Sequence, residues 1–262
     1  MLTNTLVTTS LGFGCLYPLF FWVNDKEVVK TGFYRFNLGF CGVIGGLGVV
    51  SLWRIDAVTF PAKGLVTAWF IALLAVSAYF WNRDRIKWVS VASTSIIGII
   101  ALLKVQNQLT SYDWMLQVIS ILSGLVLCAS VFSGVLGHWY LNVENLPINL
   151  LIKTTRIFWG LVTLRLAWNL SSIMTGTVTY LDVEISLFHF IRMIDGLLLS
   201  VGLFFGTIFP FILLYFVHET VKLKSTQSAT GILYVVSISV LMGDFASVSY
   251  THLRAHETDS YL

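Results

Sequence analysis

Apolar residues in this chain neither alternate nor recur on a narrow helical stripe. They run on for about twenty positions, stop at a short polar break and start again. The first run, "TNTLVTTSLGFGCLYPLFFWV", is followed by "NDKEVVKTGFYR"; the next, "FNLGFCGVIGGLGVVSLW", gives way to "RIDAVTFPAKG". Eight such runs occur, at about 4–23, 36–53, 65–82, 88–104, 114–138, 157–174, 186–217 and 228–247. Crossing the hydrocarbon core of a bilayer takes about 20 apolar residues as an α-helix. Lipid offers no partner for a free backbone N–H or C=O, so an apolar run of that length closes its hydrogen bonds within itself. The pattern therefore predicts an all-α, polytopic integral membrane bundle of about eight helices, forming a single transmembrane domain over 1–247. The longest polar stretch is about a dozen residues, too short for a soluble domain.

Composition supports the same solvent. Of the 262 residues 56% are hydrophobic and 11% charged, whereas soluble domains carry about 25% charged residues. The few basic residues are unevenly placed. Breaks after runs 1, 3, 5 and 7 hold Lys26, Lys30, Arg35, Arg83, Arg85, Lys87, Lys153, Arg156, Lys222 and Lys224. Breaks after runs 2, 4 and 6 hold only Arg54, Lys63 and Lys104. Lys and Arg are retained on the cytoplasmic side during insertion, so ten against three predicts the N-terminus outside. Trp22, Trp53, Trp81, Trp88, Trp114 and Trp139 fall at run ends, as an interfacial aromatic belt requires. No Lys or Arg precedes the first run, so it reads as a retained helix rather than a signal peptide. The expected setting is a bacterial or archaeal cytoplasmic membrane, with the lipid bilayer and membrane or soluble subunits as partners. Small basic clusters between spans point away from nucleic acid.

Small residues add packing information. Gly42 and Gly46 are four apart in run 2, the spacing that lets two helix backbones touch. Close packing inside the bundle is the plain reading and a homodimer face the sharper one. Cys15, Cys41 and Cys128 lie inside apolar runs without CxxC spacing and read as small buried residues.

The chain changes character near Ala246. "SVSYTHLRAHETDSYL" has no apolar face. From about Val248 to Leu262 it resembles a stretch that recurs at the ends of unrelated translations of assembled environmental DNA. That resemblance implies a non-native tail. His252, His256 and Glu257 have metal-ligand types at helical spacing, but they belong to this tail and are set aside, which leaves no metal site.

Ionisable residues inside apolar runs carry the remaining chemistry. A charge at the bilayer centre costs about 2.5–3.5 kcal/mol on insertion scales and seeks a partner. Arg165, His189, Arg192, Asp195 and Asp244 lie in runs 6 to 8. With run 7 taken as one helix from Ser186, Arg165 and Asp195 fall at one depth and predict an ion pair; Arg192 and Asp244 predict a second. His189, Arg192 and Gly196 then share one stripe. The cluster reads either as a structural clamp on three helices or as an outward-facing pocket for an anionic or carbonyl-bearing ligand, since Arg suits carboxylate or phosphate and a His–Asp pair can pass protons to a quinone head group. Run 7 holds 32 residues, about 48 Å as a straight helix, and Gly196, Gly202, Gly206 and Pro210 offer places to bend. At the other face, His138 and His218 end their runs. They read as interfacial anchors or as axial ligands of one b-type haem.

No phosphate-binding glycine loop, Ser–His–Asp order or HExxH is present. "NLS" at Asn169 matches a glycosylation acceptor but lies inside a run. Stand-alone catalysis is not expected. The leading functional expectation is a membrane subunit or binder of a small lipid-soluble, quinone-like ligand in an energy-converting membrane, with the polar cluster of spans 6–8 as its site. A small-anion permease and a ligand-free assembly or scaffold protein are the alternatives.

Overall fold

The computed structural model describes residues 2–23, 29, 31–81, 83, 87–109, 114–143, 145–180 and 183–259. Lys26, Lys30 and Arg85 lie outside the described residues. Among the described residues, eight helical stretches are long and apolar enough to cross a membrane, and the chain is an all-α, polytopic integral membrane protein. It divides into two compact units, 1–154 and 155–262.

The first unit opens with α1 (Leu2–Leu16), which tightens into a 3₁₀ turn, Tyr17–Trp22. Pro18 stands at the start of that turn, where its missing N–H is harmless. Helices α2 (Thr31–Leu52), α3 (Phe60–Phe80), α4 (Trp88–Leu109) and α5 (Trp114–Asn142) follow. Pro61 occupies the first turn of α3 after the extended Thr59, which sets where that helix begins. The core centres on Trp69, packed with Leu11, Cys15, Leu73 and Leu102. Gly98 makes room for it: a Cβ there would lie 2.3 Å from the indole Nε1 and 2.7 Å from Cys15 Sγ. A second layer is aromatic, with Phe132 5.7 Å from both Tyr17 and Phe33. The Tyr17 hydroxyl donates to Asn37 Oδ1 at 2.5 Å, and Asn37 Nδ2 donates to the Phe33 carbonyl at 2.6 Å. The Tyr17 hydroxyl and the Asn37 side chain of that layer are thus paired. All three cysteines are buried and free.

The second unit holds most of α6 (Asn149–Thr175) and all that follows. A small antiparallel hairpin comes next, β1 (Thr177–Tyr180) with β2 (Val183–Ser186), in the register Thr177↔Ser186 to Tyr180↔Val183. One helical turn, α7 (Leu187–Phe190), is capped by Ser186, whose hydroxyl accepts from His189 N–H. The chain then turns over Ile191–Gly196. A Cβ at Gly196 would meet the Phe190 carbonyl oxygen at 2.1 Å, so only glycine fits there. The span itself is α8 (Leu197–Leu203), a π-helical turn (Phe204–Ile208) and α9 (Phe209–Lys222). Helix α10 (Thr226–Asp259) ends the unit; its membrane-spanning part is Thr226–Ala246.

Run 7 is therefore not one 32-residue helix. The hairpin, the single turn and the Gly196 bend take up its first ten or so residues, and the crossing helix starts at Leu197. Residues 183–186 pair with β1, so Ser186, the expected start of the run, ends a strand.

Candidate functional site

Pro210 explains the break in the seventh span. It has no N–H to offer a carbonyl one turn back, and its ring crowds that carbonyl. The backbone responds one turn earlier: Phe209 N–H donates to the Phe204 carbonyl, five residues away. In α register that N–H would serve Phe205; in π register Phe205 would wait for the N–H that Pro210 lacks. The Phe205 carbonyl is left over. Ser239 on α10 supplies the missing donor, with its hydroxyl 2.6 Å from that oxygen. A partly buried backbone acceptor thus finds a side chain from another helix.

Near the same level the backbones of α10 and the seventh span come close together at Gly243 and Gly206. A Cβ on Gly243 would lie 2.2 Å from both N and Cα of Gly206. Ser239 and Gly243 are four apart and share a face of α10. Close approach places Asp244, the next residue, beside α6. Arg165 Nη2 donates to Asp244 Oδ1 at 2.6 Å. Asn169, one turn further along α6, donates through Nδ2 to Thr207 Oγ1 at 3.0 Å.

Helical rise accounts for the meeting. Arg165 lies 16 residues beyond Asn149, and Asp244 lies 18 beyond Thr226. Gly206 lies 16 before Lys222. At about 1.5 Å per residue all three stand roughly 24–27 Å from helix ends on the predicted inner face. The polar groups of three helices therefore form one layer.

Arg165 is not fully used by this layer. Its side chain is 9% exposed, and Nη1 is buried without a hydrogen-bond partner among the described residues. An unmet guanidinium donor in low dielectric costs about 1–3 kcal/mol or more. Asp244 is more open, with its side chain 25% exposed. The layer offers a strong donor set back from the surface, beside a carboxylate that is reachable.

The predicted pairing is corrected by this geometry. Arg165 pairs with Asp244 and not with Asp195. Asp195 precedes the crossing helix and accepts from the Tyr180 hydroxyl of the hairpin. Arg192 is not paired with Asp244; its guanidinium lies 5.6 Å from the Phe188 ring centroid. His189, Arg192 and Asp195 are all exposed. Their shared stripe does not form either, because α7 ends at Phe190. Exposed charged side chains in a turn gain little from pairing, so nothing forces them into ion pairs. The five-residue cluster is thus two groups: a layer built on Arg165 and Asp244, and a hairpin cap carrying the other three.

His218 closes the stripe Phe211, Tyr215, His218 on α9, and all three rings face Trp159 of α6 at 5.8–6.3 Å. His138 sits on α5 in the first unit. The side chains of His252 and His256 lie outside the described residues. Among the described residues, no three His, Cys, Asp or Glu side chains gather as a metal site would require.

The chain matches no family model, no curated protein and no solved structure. Local chemistry alone must carry the functional reading. Sequence inspection missed Asn169, Thr207, Ser239 and the Gly206–Gly243 contact. Ser239, Gly243 and Asp244 lie on adjoining helical positions, a signal that was present but is common in membrane helices.

Proposed function

We propose that the polar layer of the second unit binds a small lipid-soluble ligand with a carbonyl or similarly electron-rich head, of the quinone class, in a membrane-embedded subunit of an energy-converting membrane. One observation carries the reading: the buried, unpartnered Nη1 of Arg165 beside an ion pair whose carboxylate is partly exposed. An arginine held only for structure would be expected to spend all its buried donors on the protein. A ligand carbonyl accepting from Nη1 completes the set, and Asp244 stands next to the same head group as a proton acceptor. The π-helical turn favours the same reading, since such turns are frequent at functional sites.

Binding of a short-chain quinone to the purified full chain, followed by tryptophan quenching, tests this. Arg165→Lys keeps the charge opposite Asp244 and removes the second donor. It is expected to weaken binding at least about tenfold, the effect of losing one charge-assisted hydrogen bond of roughly 1.5–3 kcal/mol, while thermal stability changes little. Arg192→Ala, in the exposed cap, should leave binding unchanged. Equal quinone affinity in wild type and Arg165→Lys overturns the reading. Uptake of a small anion into vesicles, lost in Arg165→Lys, would assign the layer to transport instead.

A further inference from the structure

The first unit carries a second, independent feature, a groove of about 560 Å³ between α2 and α3. Its walls are Gly39, Gly42 and Val43 on one helix and Leu74, Ala78 and Trp81 on the other. Glycines open it. A Cβ on Gly42 would reach only ordinary contact with Leu74, at 3.7 Å, so the space beyond is unfilled. Among the described lining residues the one aliphatic hydroxyl, on Ser77, donates back to the Leu73 carbonyl and leaves the groove apolar. This volume lies within the range of small-molecule sites.

Charge gathers at one end. Arg35 precedes Gly42 by seven residues on the same helical stripe, roughly 10 Å along the axis. Its Nε donates to the Trp81 carbonyl and ties the two helices together there. Arg83 follows Trp81 and lies with its guanidinium 3.9 Å from the Tyr79 ring centroid. Among the described residues neither arginine has a carboxylate partner. Both belong to the Lys/Arg-rich side of the chain, the predicted cytoplasmic face. Arg35 at the interface, with Arg83 near its partner Trp81 on the chain and an apolar trough about 10 Å deep beneath inside a ~15 Å half-core, suits the head group and the upper part of one acyl chain of a lipid.

We propose that the α2–α3 groove is a seat for one anionic phospholipid, its acyl chain along Gly39 and Gly42 and its phosphate at Arg35 and Arg83. Arginine suits this role because its planar fork meets phosphate oxygens in pairs. The claim is independent of the quinone reading, since no residue is shared.

The test is native mass spectrometry of the full chain after exchange against mixed phosphatidylglycerol–phosphatidylcholine vesicles. Wild type is expected to retain one phosphatidylglycerol in preference to phosphatidylcholine. Arg83→Gln should lower that preference about fivefold, the effect of one basic residue near an anionic lipid surface. Gly42→Leu should abolish retention of either lipid by filling the trough. Arg83 is exposed, so its variant remains decisive even if Gly42→Leu does not fold. Equal retention of the two lipids, or an Arg83→Gln variant indistinguishable from wild type, overturns the proposal. So does a detergent-stable dimer that Gly42→Leu dissolves, which would make a second copy of the chain the occupant.

Discussion

Ser239 and Phe205 show how one side chain can decide a backbone. Proline at 210 removes the donor that the Phe205 carbonyl would otherwise await, and lipid offers none in its place. The Ser239 hydroxyl, 2.6 Å away, answers from another helix. Ser239→Ala is expected to destabilise the protein by about 1–2 kcal/mol, read as a lower unfolding midpoint in detergent. In a Pro210→Ala background the backbone regains a donor, so the same substitution should cost less. A double-mutant cycle should give a coupling of at least ~0.5 kcal/mol. Additive effects would show that the π-helical turn does not depend on Pro210. Arg165 lies at the opposite extreme: its Nη2 is bound to Asp244, and its Nη1 has no partner among the described residues. Residues with an incomplete hydrogen-bond set are where ligand chemistry should be sought first.

At the scale of elements, glycine placement governs how helices meet. The Gly206–Gly243 crossing leaves no space for a side chain, since a Cβ on Gly243 would lie 2.2 Å from Gly206. Gly243→Ala should force α10 from the seventh span and cost about 1–3 kcal/mol. It should also loosen the Arg165–Asp244 contact, because Asp244 rides on the same turn. Gly231 on α10 has open space around its Cβ direction. Gly231→Ala should be neutral or stabilising by up to about 1 kcal/mol. Thermal unfolding of the two variants side by side checks the contrast; equal behaviour would mean the crossing tolerates separation. The hairpin β1–β2 illustrates the reverse case. "TVTY" and "VEIS" alternate and are rich in β-branched residues, and they form a ladder directly after the sixth span.

For the whole molecule, orientation follows from charge counting and is open to a direct check. The native cysteines are buried at 0–1% exposure, so an introduced thiol is the one that reacts. Thr179→Cys, in the hairpin, should react with a membrane-impermeant maleimide added outside intact cells, and Lys224→Cys should not. The opposite result would invert the topology. Removing residues 248–262 should leave the unfolding midpoint unchanged, since Ser239, Gly243 and Asp244 all lie upstream.

Much of this molecule was legible in one dimension. Runs of about twenty apolar residues specify helices that cross lipid, because an unpaired backbone group is too costly there. The number of spans, their aromatic ends and the Lys/Arg bias needed no three-dimensional information. Partner choice did need it. Arg165 and Asp244 are 79 residues apart in sequence, and which acid meets which arginine depends on where helix seven begins. The seventh span starts at Leu197 and not at Ser186 because the single turn α7 and the Gly196 bend take up the residues between. An error of a few turns in one helix reassigns every contact along it. Which carbonyl lacks a donor, which guanidinium nitrogen is unmet and which glycine faces a neighbouring backbone are relations between helices. Periodicity along one strand of text cannot express them; only the packed structure decides them.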